Sequence, residues 1–154
     1  MMLRKGTFVL AVALVALPAA WLEHDSEAAT GPAAIRITNR EVSYARVDVG
    51  RSGRSAGDME IIKQLLFNRR ITPKPIGHAE FVCTFTIPPS RSCRGTIFLP
   101  RGKIVVGGSI YVRQIYQLAI LGGTGLYNNA RGTMTATRFR RSPRSEILVF
   151  RLVG

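Results

Sequence analysis

The chain has 154 residues, with 22 lysines and arginines against 9 aspartates and glutamates and a net charge of +13; that is room for one domain with its own core but not for two. Histidine is scarce, with only His24 and His78, so neither a histidine-rich metal site nor a nucleophile, histidine and acid triad assembles easily; zinc and serine-hydrolase chemistry are set aside, and no metal or cofactor is expected. Positive charge on this scale suits nucleic acid, anionic lipid head groups and acidic polymers alike, and equally a merely solvated surface.

In chain order, the segment from Phe8 to Ala20 contains no charged or hydrogen-bonding side chain, follows Arg4 and Lys5, and gives way to the polar stretch Glu23 to Glu27. That is the layout of a secretory signal peptide. A membrane-spanning helix needs roughly 20 apolar residues, and Pro18 interrupts this shorter run. Ser26 and Ala28 supply the small side chains that cleavage before Ala29 requires, so residues 1–28 are expected to be removed and 29–154 to form a secreted domain. The exported part keeps 20 basic residues, 17 of them arginine, and 6 acidic ones, for a net charge of +14.

Beyond the leader no window shows the apolar spacing of an amphipathic helix, whereas short alternating runs recur between Gly, Pro, Ser and Asn clusters. The pattern predicts strands over Ile35 to Val47, Met59 to Phe67, Ala79 to Ile87, Gly95 to Leu99, Lys103 to Val112, Tyr116 to Leu121, Gly132 to Phe139 and Glu146 to Val153. Turn chemistry fills the connectors: Gly50 to Gly57, Thr72 to Gly77, Pro88 to Ser92, Pro100 to Gly102, Gly122 to Asn129 and Arg140 to Ser145. Connectors this short favour antiparallel neighbours, and the fold class is all-β, an eight-stranded antiparallel β-barrel, with a sandwich as the alternative.

Cys83 and Cys93 flank Pro88-Pro89, so a fold-back there can place them side by side on adjacent strands. Export favours a disulfide, worth about 2–3 kcal/mol for a ring of this size. The competing reading leaves Cys83 free in a pocket, because Phe81, Cys83 and Phe85 alternate onto one core-like face. Asp58 and Glu60 would share a face of an extended strand at about 7 Å, a separation at which paired carboxylates can do acid and base work, although salt bridges to the arginines would account for them as well. Arg138, Arg140, Arg141 and Arg144 surround a hairpin turn at Ser142-Pro143 with only Phe139 nearby. Nucleic-acid binding would want several interleaved aromatics, so no specific nucleic acid is expected, while an acidic extracellular polymer or a membrane surface stays open.

The glycine cluster Gly122-Gly123-Thr124-Gly125-Leu126-Tyr127 lacks the lysine of a phosphate loop and has Asn128 where a dinucleotide fingerprint wants glycine. It reads as a tight turn, with Gly122, Gly123, Gly125 and Gly132 as its structural positions. The run from Ala119 through Gly122-Gly123-Thr124-Gly125 to Ala130-Arg131-Gly132 resembles the Gly-Gly-Thr-Gly … Ala-Arg-Gly signature of dirigent proteins and allene oxide cyclases. Upstream, Gly57-Asp58, Leu66, Gly77, Cys83 and Gly102 to Gly108 are similar in order and spacing to the same barrels, so the resemblance spans about Val47 to Val153.

The resemblance implies an eight-stranded barrel, a homo-oligomer (trimer) and a largely apolar pocket that steers a small organic molecule by shape and a few placed polar groups. It carries over Asp58 as an acidic position, Arg131 as the arginine of Ala-Arg-Gly and Cys83 as a pocket cysteine. These three are the expected ligand-binding residues, with Asp58 and Arg131 the catalytic candidates, meeting inside the barrel as an ion pair. The first strand departs from the cyclases: Arg36, Thr38 and Asn39 stand near their acidic residue and asparagine, and no glutamate precedes Glu41. The expected function is a secreted barrel that binds or steers an apolar or phenolic molecule; the alternative is an extracellular interaction protein whose arginine-rich surface binds acidic polymers.

Overall fold

A computed structural model describes residues 33–111 and 114–153. The expected signal peptide lies outside the described residues. Eight strands run β1 Ala33–Val47, β2 Met59–Asn68, β3 Gly77–Phe85, β4 Ser90–Leu99, β5 Gly102–Tyr111, β6 Ile115–Gly125, β7 Arg131–Arg141 and β8 Arg144–Val153. Each pairs antiparallel with its neighbour in sequence, and β1 pairs with β8 from Ala33↔Leu152 to Arg40↔Ser145, closing an eight-stranded barrel. Closure gives every strand a neighbour on both sides, with the β5–β6 ladder running from Gly102↔Gly125 to Gly107↔Ala119.

Alternation sets the inside. Ile62, Gln64 and Leu66 of β2, Ala79, Phe81, Cys83 and Phe85 of β3, and Met134 and Ala136 of β7 are buried at every second position, while Ile61, Lys63, Glu80 and Val82 between them are exposed. Cys83 and Cys93 are register partners on β3 and β4 and form a disulfide, with their Cα atoms 4.0 Å apart. The expected bridge is therefore present, and Cys83 is not a free thiol.

Two connectors differ from expectation. Strand β4 begins at Ser90, well before Gly95, because Arg91 and Cys93 face inward and continue the ladder down from Phe85↔Arg91. Gly122 and Gly123 extend β6, pairing with Val105 and Ile104, so the turn itself occupies Gly125 to Ala130. Gly125 there has φ +62°, which a side chain would strain, while Gly123 keeps an extended backbone and is glycine for another reason: a Cβ would collide with the carbonyls of Tyr127 and Lys103. Gly132 opens β7 with its own positive φ.

Along the inward rows the chemistry changes from one end of the barrel to the other. Strand β2 presents Leu66, Gln64, Ile62 and then Glu60; β4 presents Ile97, Cys93 and then Arg91; β8 presents Phe150, Leu148, Glu146 and then Arg144. The end that holds the Gly125–Ala130 turn is filled with aliphatic and aromatic side chains. The end where β1, β3, β5 and β7 finish is charged.

Candidate functional site

At the charged end the barrel opens into a cavity of about 720 Å³ lined by Glu41, Tyr44, Arg54, Glu60, Arg91, Gln114, Arg138, Phe139, Arg140, Arg141 and Arg144. Beneath it, between Ile62, Gln64, Phe81, Cys83 and Tyr116, lies a void of about 10 Å³, roughly the room of one water. The disulfide and Phe81 thus belong to the packed floor, and the usable space is the mouth.

A polar network forms that floor. Glu146, fully buried, accepts hydrogen bonds at Oε2 from Asn39 Nδ2 (3.1 Å) and the Tyr116 hydroxyl (3.0 Å), and at Oε1 from Arg144 Nε (2.9 Å). Its backbone N–H donates to Asn39 Oδ1 (2.7 Å), and Asn39 Nδ2 also donates to Gln64 Oε1 (2.9 Å). These donors exist at this depth because Asn39 and Glu146 are register partners across the β1–β8 seam. Beside them Arg91 Nη1 and Glu60 Oε2 form an ion pair with both side chains buried, and the Tyr44 hydroxyl donates to Glu60 Oε1 (2.9 Å).

Electrostatics follow from burial. Burial pushes the Tyr116 hydroxyl well above its ordinary pKa, and the neighbouring Glu146 adds to this, so the hydroxyl remains a donor. Glu41, at the cavity wall, is raised by burial and by repulsion from Glu146, with Arg144 and Arg138 opposing. Burial lowers Arg91; for Arg144 burial pulls the same way, but Glu146, Tyr116 and Glu41 together outweigh it and the guanidinium is held above its usual value. All the arginines stay charged.

The sequence-derived candidates lie elsewhere. Asp58 precedes β2 and turns into the connector from β1: its carboxylate accepts from Val49 N (2.9 Å), Ser55 N (3.0 Å), Ser55 Oγ (3.2 Å) and Arg46 Nη2 (2.6 Å). The two backbone donors contribute most to holding its pKa far below the ordinary carboxylate range. Arg131 is exposed at the start of β7, donating to the carbonyls of Leu121 (3.4 Å) and Ala130 (3.1 Å). The expected Asp58–Arg131 pair does not form, because the two residues sit at opposite ends of the barrel, Asp58 at the mouth and Arg131 beside the Gly125–Ala130 turn. Nor do Asp58 and Glu60 act together: Asp58 serves the loop while Glu60 points inward to Arg91. Asp58 reaches the cavity only by ordering the loop that carries Arg54, whose guanidinium lies 5.9 Å from the centre of the Phe85 ring.

The molecule is thus a closed antiparallel barrel, packed at one end and open at the other onto a charged cavity. No family model matches the sequence, and no curated protein matches it. Among solved structures it is similar to a pyocyanin demethylase, with 27% identity over 75% of this chain and 98% of that one and a TM-score of 0.65. A pterocarpan synthase dirigent protein is similar over 79% of this chain and 93% of its own at 15% identity and TM-score 0.62. An exo-specific intermolecular Diels-Alderase is similar over 80% and 99% respectively, at 12% identity and TM-score 0.65. Its eight antiparallel strands, paired in sequence order and closed on themselves, give the chain the same barrel fold as these structures.

Proposed function

We propose that this protein is an exported barrel that takes one small organic molecule into its mouth cavity and holds it in a single orientation. The observation that carries the reading is a cavity of about 720 Å³, of a size that suits a small ligand, standing on a floor of mutually hydrogen-bonded side chains fixed to β1, β4, β6 and β8. Rigid walls with a few placed donors and acceptors are what orientation of a reactive molecule requires, and no strong nucleophile is needed. The solved barrels it resembles carry names of proteins that act on small molecules, which supports the same reading here.

The buried Cys83–Cys93 bridge supports export, because such bridges persist in oxidising compartments. Mass spectrometry of the exported protein is expected to find an N-terminus within a few residues of Ala29; an intact Met1 terminus in the membrane fraction would contradict it. The hairpin arginines divide between the two readings: Arg138 and Arg144 keep only 21% and 15% of their side-chain surface exposed and line the cavity, whereas Arg140 and Arg141 are exposed, where a polyanion could reach them.

Calorimetric titration with a panel of phenols and conjugated aromatic compounds tests the cavity. Binding is expected in the parent and is expected to be lost in Gln114→Trp, which fills the mouth from its rim, with melting unchanged. Equal binding by both proteins would place the ligand elsewhere. Salt-sensitive adhesion to heparin with no small-molecule binding would favour the polymer-binding alternative.

A further inference from the structure

Six arginines line the mouth cavity, and they divide by depth. The deep ones are answered by carboxylates. Arg91 is paired with Glu60, Arg144 donates to Glu146, and Arg138 lies 3.8 Å from the same Glu146 carboxylate. Glu41, the other carboxylate of the wall, is within electrostatic reach of Arg144 and Arg138. The outer three are not answered. Arg54, Arg140 and Arg141 are exposed, border the same cavity, and make no hydrogen bond or ion pair among the described residues.

These three come from two connectors that the barrel makes neighbours. Arg54 stands in the loop from β1 to β2, Arg140 and Arg141 close β7 at its hairpin to β8, and β1 pairs with both β2 and β8. Arg54 is also positioned without the use of its N–H groups. Its guanidinium lies 5.9 Å from the centre of the Phe85 ring, and Asp58 ties down its loop through Val49 N, Ser55 N and Ser55 Oγ. A guanidinium stacked on a ring keeps its fork of donors available to a ligand. Beside Arg140, Phe139 is the residue left over by the register shift between Arg138 and Arg140, and its half-exposed ring borders the cavity, as does that of Tyr44. The rim of a concave site thus carries reachable cations next to aromatic surface, an arrangement that concentrates anions.

We propose that the ligand of the mouth cavity is a small organic anion, bound with its acid group outward against Arg54, Arg140 and Arg141 and its uncharged body inward beside Tyr44 and Phe139. This rests on the cavity reading above and narrows it to a substrate class. The orientation follows from the division by depth. Further in, the arginines already face Glu60 and Glu146, whose negative charge would repel an acid group. At the rim the donors are accessible and no carboxylate competes for them.

Calorimetric titration of 2-naphthoate, naphthalene-2-sulfonate and the neutral 2-naphthamide tests the assignment. The parent is expected to bind one equivalent of either acid about 3- to 100-fold more tightly than the amide, the range that three solvent-exposed charge pairs supply together. The preference is expected to shrink as salt rises. In the triple variant Arg54→Gln/Arg140→Gln/Arg141→Gln the acids are expected to bind no better than the amide. Because all three side chains are exposed, that variant is expected to melt with the parent, and its retained amide binding shows that the cavity is still formed. Asp58→Asn, which loosens the loop under Arg54, is expected to lose part of the preference while binding the amide as the parent does. Arg36→Gln removes a charge from the exposed outer surface and is expected to leave the preference intact. Equal affinity for acids and amide in the parent, or a preference that survives the triple variant, overturns the anion assignment while leaving the cavity reading in place. Uptake of many equivalents of acid without saturation makes the rim an ordinary charged surface and overturns it too. Binding of none of the three compounds overturns both readings.

Discussion

Removal of Arg91 is the severest single change the mouth offers. Its guanidinium and the Glu60 carboxylate are each about 3% exposed, so Arg91→Met leaves a carboxylate inside the barrel with only the Tyr44 hydroxyl to answer it. An uncompensated buried charge of this kind costs about 3–5 kcal/mol. For a domain of this size, at roughly 3–6 °C per kcal/mol, the midpoint is expected to fall by about 10–30 °C in thermal unfolding followed by circular dichroism. The stranded Glu60 would have a folded pKa above its unfolded value of about 4.3, so its penalty applies at neutral pH and fades as pH falls through the raised pKa. The gap between parent and variant should therefore narrow in mildly acidic buffer. The double variant Arg91→Met/Glu60→Gln removes both charges and is expected to recover most of the loss at pH 7. A single variant that melts within about 1 °C of the parent, or a double variant less stable than the single, would refute the reasoning.

Replacing Cys83 and Cys93 together by alanine is expected to cost about 2–3 kcal/mol in urea denaturation, and the unreduced, denatured parent is expected to offer no thiol to iodoacetamide. Asp58→Asn should loosen the loop between β1 and β2, read as faster proteolysis after Arg51 or Arg54. Because the folded pKa of Asp58 is depressed, its contribution is fully present above about pH 4 and is lost as pH falls below that, so the variant should show a smaller stability loss than the parent between pH 4 and pH 2. Asn39→Ala removes donors to both Gln64 and Glu146 across the β1–β8 seam and is expected to destabilise by about 1–3 kcal/mol; an unchanged melting point would show that the seam network contributes nothing.

The barrel was legible because alternation is local: all eight strands were placed from apolar and polar spacing, and the disulfide followed from two cysteines equidistant from a turn. The mouth was not read as a site, for a physical reason. Charged residues in a strand pattern normally mark the solvent face, and Glu60, Arg91 and Glu146 break that rule by falling in phase with Ile62, Cys93 and Leu148 on the inward rows. Parity was the available signal: an arginine two residues before a buried cysteine, and a glutamate two before a buried leucine, share its side of the sheet. Asp58 and Arg131 were paired on the strength of the resemblance, but the five strands β2 to β6 lie between the connectors they flank, and an odd number puts those connectors at opposite ends of the barrel. Gly122 and Gly123 misled too, because both lie within strand β6 rather than in the turn, and only Gly123 is held to glycine by close backbone approach.

Two-dimensional NMR of the labelled protein during titration with 2-naphthoate tests the central claim most directly. Shifts confined to Glu41, Tyr44, Arg54, Phe139, Arg140 and Arg141 around the mouth, saturating at one equivalent, are the predicted result. Shifts spread over exposed arginines such as Arg36, Arg131 and Arg151, rising without saturation and vanishing with added salt, would contradict it.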